Sequence, residues 1–361
     1  MKPTSFLTLI AAVVLALSAC GSDDENGDAG GGGAKTIALL LPENKTARYE
    51  AHDRPEFEAE VKRRCPDCEV LYQNAGQDPS KQQTQAEAAI TKGADVLVLD
   101  AVDPASATAA VTRAKQSKVP VIAYDRLISK ADIDYYVSFD NVRQGKIQAR
   151  TLLDALGGGK GKSIVMINGA PTDPSAGDYK KGAHAVFDAS GVKIAKEYDT
   201  PDWSPDKAQV EAEQAVTALG DGGVQGVYSA NDGMASGIIA ALKSAGLKPG
   251  QVPVTGGDAE VAAIQRILTG EQYSTIYLTI KKQAQVSAQL AVAAAQGKEP
   301  PAGLLNAEVD NGQGQVPSVL LTPVAVTKDN IADTVIKDGF YEPSEICTGK
   351  FEAACSKADI G

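Results

Sequence analysis

Acidic, amide and guanidinium side chains follow several short apolar runs of this chain. The positions are Asp125-Arg126, Asp140-Asn141, Asn231-Asp232 and Asp258. Each of these groups can form two hydrogen bonds in one plane. At a single position an Asp or Asn can instead cap a helix, and Asp232, which precedes a helical run, is interpreted as such a cap. Because all four sites end apolar runs, in both halves of the chain, they predict one cleft beyond the carboxyl ends of parallel strands.

The chain has a single tryptophan, Trp203, within the segment T-P-D-W-S-P (200–205). This segment follows an apolar run and precedes a stretch of helical period, so it is predicted to be a loop. Two interpretations stay open. The indole is either a core side chain that anchors the loop or, on the cleft side, a flat surface on which a ligand ring stacks.

The composition is that of a globular protein. The chain has 361 residues, of which 43% are hydrophobic and 22% charged, and this length predicts two domains. The net charge is -11 at pH 7, so the surface would repel phosphate backbones, which excludes nucleic acid as a partner. The acidity itself favours solubility.

The N-terminus has the features of an export signal. Lys2 is followed by an apolar stretch, Phe6 to Leu17, that is too short to span a bilayer. L-S-A-C then ends at Cys20 and resembles a bacterial lipobox, so residues 1–19 are predicted to be a signal peptide and Cys20 to carry lipid. Residues 20–34 are predicted to be a flexible tether, since they are Gly-rich and acidic. The alternative is an ordinary secretory signal that ends near a cysteine.

Four further cysteines remain, Cys65, Cys68, Cys347 and Cys355. An even number in an exported chain favours disulfides, and the local pairs 65 with 68 and 347 with 355 close the shortest loops. The other two connectivities stay open. C-P-D-C could also be a redox pair or half of a zinc site, but no second C-x-x-C follows and only His52 and His184 could complete it.

From Lys35 onward, short runs rich in Val, Ile and Leu alternate with longer stretches of helical period. Predicted strands begin at Thr36, Glu69, Asp95, Val119, Tyr135, Ser163, Lys193, Gly226, Val252 and Thr275, and predicted helices include 79–92, 104–116, 144–156, 205–219 and 233–244. Continuously apolar strands are typical of parallel sheets covered on both faces. Ten such strands predict an α/β fold with two doubly wound domains.

Catalytic motifs are not evident. L-G-G-G-K-G-K-S (156–163) lacks the first glycine of a phosphate-binding loop and precedes a strand rather than a helix. The sequence contains neither a G-x-S-x-G nucleophile elbow nor an H-E-x-x-H motif. We therefore expect a protein that is not an enzyme, without metal or cofactor.

Several segments, read in order, resemble the type I periplasmic sugar-binding proteins of ABC transporters, in particular the D-xylose-binding proteins. They are Y-D-R-L-I (124–128), A-D-I-D-Y-Y-V-S-F-D-N (131–141), S-A-N-D (229–232), A-A-I-Q-R-I-L-T-G (262–270) and L-L-T-P-V (320–324). The resemblance implies two lobes joined by three crossing segments, which close on ligand by hinge motion. It places residues 35–139 with 279–322 in the N-terminal lobe and 140–278 with 323–361 in the C-terminal lobe.

The resemblance also implies a set of sugar contacts. They are Arg48, Tyr49, Asp125, Arg126, Asn141, Asp173, Ser175, Trp203, Asn231 and Asp258, with Asp125 accepting from sugar hydroxyls while it holds Arg126 in place. The chain departs from the family's pattern at several positions. Tyr49 stands where Trp is common, D-P-S-A (173–176) replaces D-N-N-A, and Gly256-Gly257-Asp258 replaces G-Q-D. Leu278 stands where the relatives have a pocket lysine, for which Lys281 or Lys282 is the predicted substitute.

By this resemblance the chain is expected to be an extracytoplasmic substrate-binding lipoprotein of an ABC importer. It would bind a monosaccharide, xylose or a similar pentose, and deliver it to the permease subunits. The alternative is a sugar-sensing receptor that feeds a signalling system. In either case we expect a monomer anchored to the outer face of the cell membrane through the lipid on Cys20 alone.

Overall fold

A computed structural model describes residues 34–220 and 222–360. The predicted signal peptide, the predicted lipidation site Cys20 and the tether up to Gly33 lie outside the described residues. Within the described ranges, no helix combines the length and the apolar character that a membrane span needs.

The described chain alternates between strands and helices. The strands are β1 (Thr36–Leu41), β2 (Glu69–Asn74), β3 (Val96–Leu99), β4 (Val121–Tyr124), β5 (Tyr135–Phe139), β6 (Ser163–Asn168), β7 (Lys193–Asp199), β8 (Gly226–Ser229), β9 (Ser274–Tyr277), β10 (Ala307–Asp310), β11 (Gln315–Leu321) and β12 (Val324–Thr327). The helices are α1 (Arg54–Arg64), α2 (Pro79–Thr91), α3 (Pro104–Gln116), α4 (Asn141–Leu156), α5 (Pro174–Ser190), α6 (Pro205–Leu219), α7 (Asp232–Ser244), α8 (Val261–Thr269), α9 (Ile280–Ala295), α10 (Pro343–Ile346) and α11 (Glu352–Lys357). A single helical turn, Tyr49–Asp53, precedes α1.

The first lobe is built on a seven-stranded sheet in the order β10-β11-β5-β4-β3-β1-β2. All neighbouring strands in it are parallel except β10 and β11. Alternate residues of β1 enter different apolar clusters: Ile37 and Leu39 pack on one face, Ala38 and Leu40 on the other. Both faces are therefore covered, which explains why this strand is apolar from Ile37 to Leu41.

The second lobe contains the parallel set β7-β6-β8 and the antiparallel pair β12-β9. The segment 252–255, predicted to be a strand, makes only one bridge, between Val254 and Val227 of β8. This prediction was wrong in extent because Pro253 has no N–H to extend the ladder. Backbone bonds from Tyr273 to Val254 and from Ile276 to Gly256 still link this segment to β9.

The chain passes between the two sheets three times: after β5, between β9 and α9, and between β11 and β12. At the first crossing Asp140 donates its N–H to the Leu321 carbonyl at 3.0 Å, so the first and third crossings lie side by side. The predicted fold class, two α/β lobes joined by three crossing segments, is confirmed. Strands β10 to β12 were not predicted: β10 alternates between apolar and polar residues, β11 contains Pro317 and Ser318, and β12 has a run of three apolar residues.

Three helices begin with the dipeptide Asp-Pro. The Asp78, Asp103 and Asp173 side chains accept backbone N–H bonds at the starts of α2, α3 and α5, and each is followed by a proline at the first helical position. The proline needs no N–H there, so the pair defines where the helix begins. In α5 this start places Asp173 at the cleft between the lobes.

The described cysteines are joined locally, Cys65 to Cys68 and Cys347 to Cys355. The first pair follows α1 and precedes β2, and the second links the end of α10 to α11. Each bridge closes a short loop at the edge of its lobe.

Candidate functional site

Eight of the ten predicted contact residues line one cavity between the lobes. They are Arg48, Tyr49, Asp125, Arg126, Asp173, Trp203, Asn231 and Asp258, and they are joined there by Thr46, Gln144, Tyr179 and Ala230. The free volume that these residues enclose is about 30 Å³, well below the range for sites that hold a ligand. The two lobes therefore lie tightly closed over this site.

Arg48 is the centre of a buried network in the first lobe. Its guanidinium forms a two-bond fork with Asp53, at 2.9 and 2.8 Å, and its Nη1 donates to Asp125 Oδ1 at 3.3 Å. Tyr124 also donates to Asp53. Burial lowers the pKa of Arg48, but the charges of Asp125 and Asp53 outweigh it and hold the pKa above its ordinary value. Arg48 therefore stays charged and fixes the orientation of Asp125.

Asp125 and Arg126 do not pair with each other, contrary to the prediction. Asp125 has φ +60°, and the Arg126 N–H donates to the Tyr124 carbonyl at 2.6 Å across it. This tight turn sends the two consecutive side chains to different partners. The backbone carbonyl of Asp125 is held in turn by the hydroxyls of Tyr136 and Ser138, at 3.1 and 2.7 Å.

Arg126 instead pairs across the cleft. Its Nε lies 2.8 Å from Asp173 Oδ2, which belongs to the second lobe, and 3.6 Å from Asp100 Oδ1, which belongs to the first. Its Nη1 donates to the Ala101 carbonyl at 3.2 Å. Arg126 is 1% exposed. A buried ion pair between the lobes is therefore part of the closed arrangement.

Trp203 lies in the cavity wall and is held by Asp173. Its Nε1 donates to Asp173 Oδ2 at 3.2 Å, and Tyr179 meets the indole edge-on at a centroid distance of 6.4 Å. The indole lies against the backbone of Gly169, where an added Cβ would come within 2.1 Å of its six-membered ring. Only glycine allows this approach. Trp203 thus both packs into the apolar core of the second lobe and lines the cavity.

Asn231 takes the capping role that the sequence analysis assigns to Asp232. Asn231 caps α7, with its Oδ1 accepting from Met234 N at 2.9 Å, and it also lines the cavity. Asp232 is not a cap. Its carboxylate accepts from Gln272, Thr275 and the Glu260 N–H at 2.7 to 3.0 Å. Burial raises the pKa of Asp232 to about 7.

The Asp232 contacts hold the loop that presents Asp258. The Asp232 N–H donates to the Gly257 carbonyl at 2.9 Å, and Asp258 N–H donates to Ile276 at 2.9 Å. Asp258 has φ +88° and faces the cavity. None of the described residues donates a hydrogen bond to its carboxylate. Burial raises the pKa of Asp258 well above its ordinary range, although the charge of Arg48 lowers it.

Asn141 and Ser175 are the two predicted contacts that do not line the cavity. They bond to each other, Nδ2 to Oγ at 3.1 Å, where the start of α4 meets the start of α5. The Asn141 Oδ1 is buried and has no described hydrogen-bond partner. Asp140, beside it, caps α4 by accepting from the Arg143 N–H at 3.0 Å.

Leu278 is 1% exposed and belongs to an apolar cluster of the second lobe rather than to the cavity wall. The predicted substitutes for a pocket lysine were wrong. Lys281 is 44% exposed and lies 3.7 Å from Glu56, and Lys282 is exposed. The first turn of α9 points these side chains outward, away from the cavity.

Gln283 is the residue of this helix that reaches the site, and it was not predicted. It is fully buried, donates to Asp125 Oδ1 at 2.9 Å and accepts from Arg48 Nη2 at 2.6 Å. A signal was present: Gln283 lies on the apolar face of α9, three residues after Ile280 and four before Ser287, where an isolated polar side chain indicates a buried role. It orients both partners for the cavity.

Metal ligands do not cluster anywhere in residues 34–220 and 222–360, where no group of three or more His, Cys, Asp or Glu side chains could hold an ion. The cavity nevertheless carries two cations and one acid from the first lobe, Arg48, Arg126 and Asp125, and two acids from the second, Asp173 and Asp258. Its geometry suits a neutral polar ligand that donates and accepts hydrogen bonds at once.

Comparison with known proteins agrees with this architecture. A protein-family model described as a periplasmic binding protein domain matches residues 37–299. The chain belongs to the periplasmic binding protein family. The matched range extends from β1 to α9. All the cavity-lining residues lie within it.

Two curated relatives of this binding protein cover most of its length. It is 38% identical to the D-xylose-binding periplasmic protein of Escherichia coli over 281 aligned residues. The aligned region covers 77% of this chain and 83% of that protein. The chain is 32% identical over 329 residues to a multiple sugar-binding periplasmic receptor of Rhizobium radiobacter, across 86% and 92% of the two chains.

Solved structures show the same fold. A solute-binding protein of an ABC transporter from Clostridium phytofermentans, with bound β-D-glucose, superposes with a TM-score of 0.79 at 27% identity and covers 86% of this chain and 100% of that one. A myo-inositol-binding protein from Caulobacter superposes with a TM-score of 0.73 at 25% identity, over 85% and 97% of the chains. This periplasmic binding protein thus shares its two-lobed fold with proteins that enclose small polyhydroxylated rings.

Proposed function

We propose that this protein is the extracytoplasmic receptor of an ABC sugar importer. It binds one monosaccharide, xylose or a similar pentose, between its lobes and presents the closed form to the permease subunits. The observation that carries the proposal is the cavity, whose wall combines carboxylate, amide and guanidinium groups drawn from the two lobes with the indole of Trp203. The relatives named as D-xylose-binding proteins support the pentose.

The chemistry of the cavity explains sugar recognition. Asp258 and Asp125 can accept from neighbouring hydroxyls, Arg126 can donate, and the Asn231 amide can do both. Each charged hydrogen bond contributes about 1.5–3 kcal/mol net. Three or four such bonds, with an aromatic face from Trp203, give about -8 kcal/mol, which is a micromolar dissociation constant.

Both lobes must come together to form this site. The predicted division, 35–139 with 279–322 and 140–278 with 323–361, assigns Asp125 and Arg126 to one lobe and Asn231 and Asp258 to the other. Opening about the three crossing segments would separate these groups and admit the sugar, and closing would exclude water and strengthen each hydrogen bond. We propose no catalytic step and a monomeric receptor.

We also propose that the chain is exported and anchored by lipid on Cys20, on the basis of the L-S-A-C segment and the Gly-rich residues that follow. Mass spectrometry of the membrane-extracted protein tests this. A mature chain that begins at an acylated Cys20 is expected, whereas an unmodified Cys20 or a different first residue would refute the anchor.

A thermal-shift panel of neutral aldopentoses and hexoses tests the proposed function. A sugar present at 1,000 times its dissociation constant adds about 4 kcal/mol of stability, so at least one is expected to raise the unfolding midpoint by several degrees. Mannitol, an open-chain polyol, is the control for nonspecific stabilisation. A panel in which no sugar exceeds mannitol would overturn the proposal.

A further inference from the structure

Asp100 is a buried acid that the sugar contacts do not include. It follows β3, one strand away from the turn that carries Asp125 and Arg126, and it is 0% exposed. Its backbone carbonyl accepts from Gln82 of α2 at 2.7 Å. Neither of its carboxylate oxygens has a hydrogen-bond partner among the described residues. A buried carboxylate without hydrogen bonds raises the free energy of the folded protein while it is charged.

The nearest cation to Asp100 already has another partner. Arg126 Nε lies 3.6 Å from Asp100 Oδ1 but 2.8 Å from Asp173 Oδ2, and Asp173 also accepts from Trp203 Nε1 and the Ser175 N–H. Two acids thus share one guanidinium. Asp173 is the acid that is nearer to it and accepts other hydrogen bonds, and Asp173 belongs to the second lobe.

This arrangement depends on closure. Asp100 and Arg126 follow neighbouring strands of the first sheet, whereas Asp173 begins α5 of the second lobe. Opening the cleft therefore removes Asp173 from Arg126 and leaves Asp100 as its carboxylate partner. Closing returns Arg126 to Asp173 and leaves Asp100 buried without a hydrogen bond.

We propose that Asp100 is a positioning residue: it pairs with Arg126 in the open form and takes up one proton from solvent when closure on the sugar moves Arg126 to Asp173. The inference rests on the proposed function. The proton is bound as the Asp100 carboxylate becomes a carboxylic acid, and it returns to solvent on opening. Asp100 thereby keeps Arg126 oriented for capture and makes sugar affinity depend on pH.

The charges around Asp100 give the sign of this dependence. Burial raises the pKa of Asp100 well above its ordinary value, the charges of Arg126 and Arg48 lower it, and those of Asp125 and Asp173 raise it further. Tyr49 faces the same space. The closed form therefore binds more protons than the open form, so sugar affinity is expected to rise as the pH falls from the closed-form pKa towards the ordinary value of an aspartate. One proton gives at most a tenfold change per pH unit.

Calorimetric titration of the full chain with D-xylose tests the inference. Titrations at one pH, in two buffers with different ionisation enthalpies, give the number of protons taken up. Asp100→Asn is expected to take up fewer protons than the wild type, by up to one, and to flatten the plot of log Kd against pH. The other titratable groups, such as Asp258 and His52, are present in both proteins. The difference in proton uptake between the two proteins therefore comes from Asp100.

Asp103→Asn is the matched control. Asp103 lies on the same loop but caps α3, and Asn is also a good cap, so this variant should match the wild type. If Asp100→Asn fails to fold, Asp100→Leu, an uncharged side chain of similar size, makes the same comparison. Equal proton uptake in the wild type and the Asp100 variant would overturn the inference, as would complete loss of binding by a folded variant. If neither D-xylose nor any other sugar binds the wild type, the proposed function has failed instead, and the inference with it.

Discussion

An Asp258→Asn variant is expected to bind its sugar about 100-fold more weakly than the wild type. The Asp258 carboxylate faces the cavity and receives no hydrogen bond from a described side chain or backbone group. Its acceptor positions are therefore available to the ligand. Asparagine replaces two charged acceptor bonds with weaker neutral ones, and its amide group faces the hydroxyl donors of the sugar. The change therefore costs about 2–3 kcal/mol of binding free energy. Calorimetric titration of both proteins measures this loss.

Asparagine is the substitution of choice because Asp258 has φ +88°, a conformation that Asn tolerates better than Ala. The unliganded variant should therefore unfold at the wild-type midpoint or above it, since the carboxylate that is replaced receives no hydrogen bond from the described residues. The matched control is Asp188→Asn, at a side chain that is 71% exposed on α5, which should leave affinity unchanged. An Asp258→Asn variant with wild-type affinity would remove Asp258 from the site.

An Arg48→Met variant is expected to lose about 3–5 kcal/mol of unfolding free energy, besides its sugar binding. Arg48 is 4% exposed and bonds to Asp53, Asp125 and Gln283. Without the guanidinium, two buried carboxylates lose their cation while remaining away from water. Urea denaturation of the unliganded proteins measures the effect.

Arg63 provides the control for this variant. It pairs with Glu60 at 2.7 Å but is 63% exposed, so Arg63→Met should cost less than about 1 kcal/mol. Equal losses in the two variants would show that burial of the Arg48 network contributes nothing to stability. A large loss for Arg48 alone would show that the same residue supports both the fold of the first lobe and the orientation of Asp125.

Much of the fold could be predicted from the sequence because buried parallel strands are apolar at every position. The strands β5 and β8 and the helices α3 and α6 have the predicted bounds. The edge strands β10 and β12 could not be predicted in the same way. The residues of β10 alternate between half-buried and exposed positions, and β12 has a single buried residue, Val326, so neither has the long buried run that marks a central strand.

Most of the predicted site residues lie around one cavity, but one predicted pairing among them was wrong. Strand-end polar residues indicated Asp125, Arg126, Asn231 and Asp258, and all four line the cavity. The pairing of Asp125 with Arg126 was wrong, because adjacency in sequence says nothing about a turn with φ +60° that separates two side chains. Gln283 was missed for a related reason: its role depends on Arg48, 235 residues away in the chain.

The prediction for Asp232 was wrong for the same reason, because its partners are distant in the sequence. A polar residue before a helical run is a sound N-cap prediction, yet the cap is Asn231. The Asp232 carboxylate accepts hydrogen bonds from Gln272, just before β9, and from Thr275, within β9. Such long-range partners are decided by the packing of the lobe rather than by local pattern.

The fluorescence of Trp203 gives the most direct test of the central claim that a monosaccharide binds in this cavity. Trp203 is the only tryptophan in the chain, and it lies in the cavity wall at 7% exposure, so its emission reports this site alone. Titration with D-xylose is expected to change the emission saturably, with a midpoint in the micromolar range or below, and Asp258→Asn should move that midpoint about 100-fold higher. The claim would be contradicted if no monosaccharide changed the emission, or if a sugar bound tightly by calorimetry while the emission of Trp203 stayed constant.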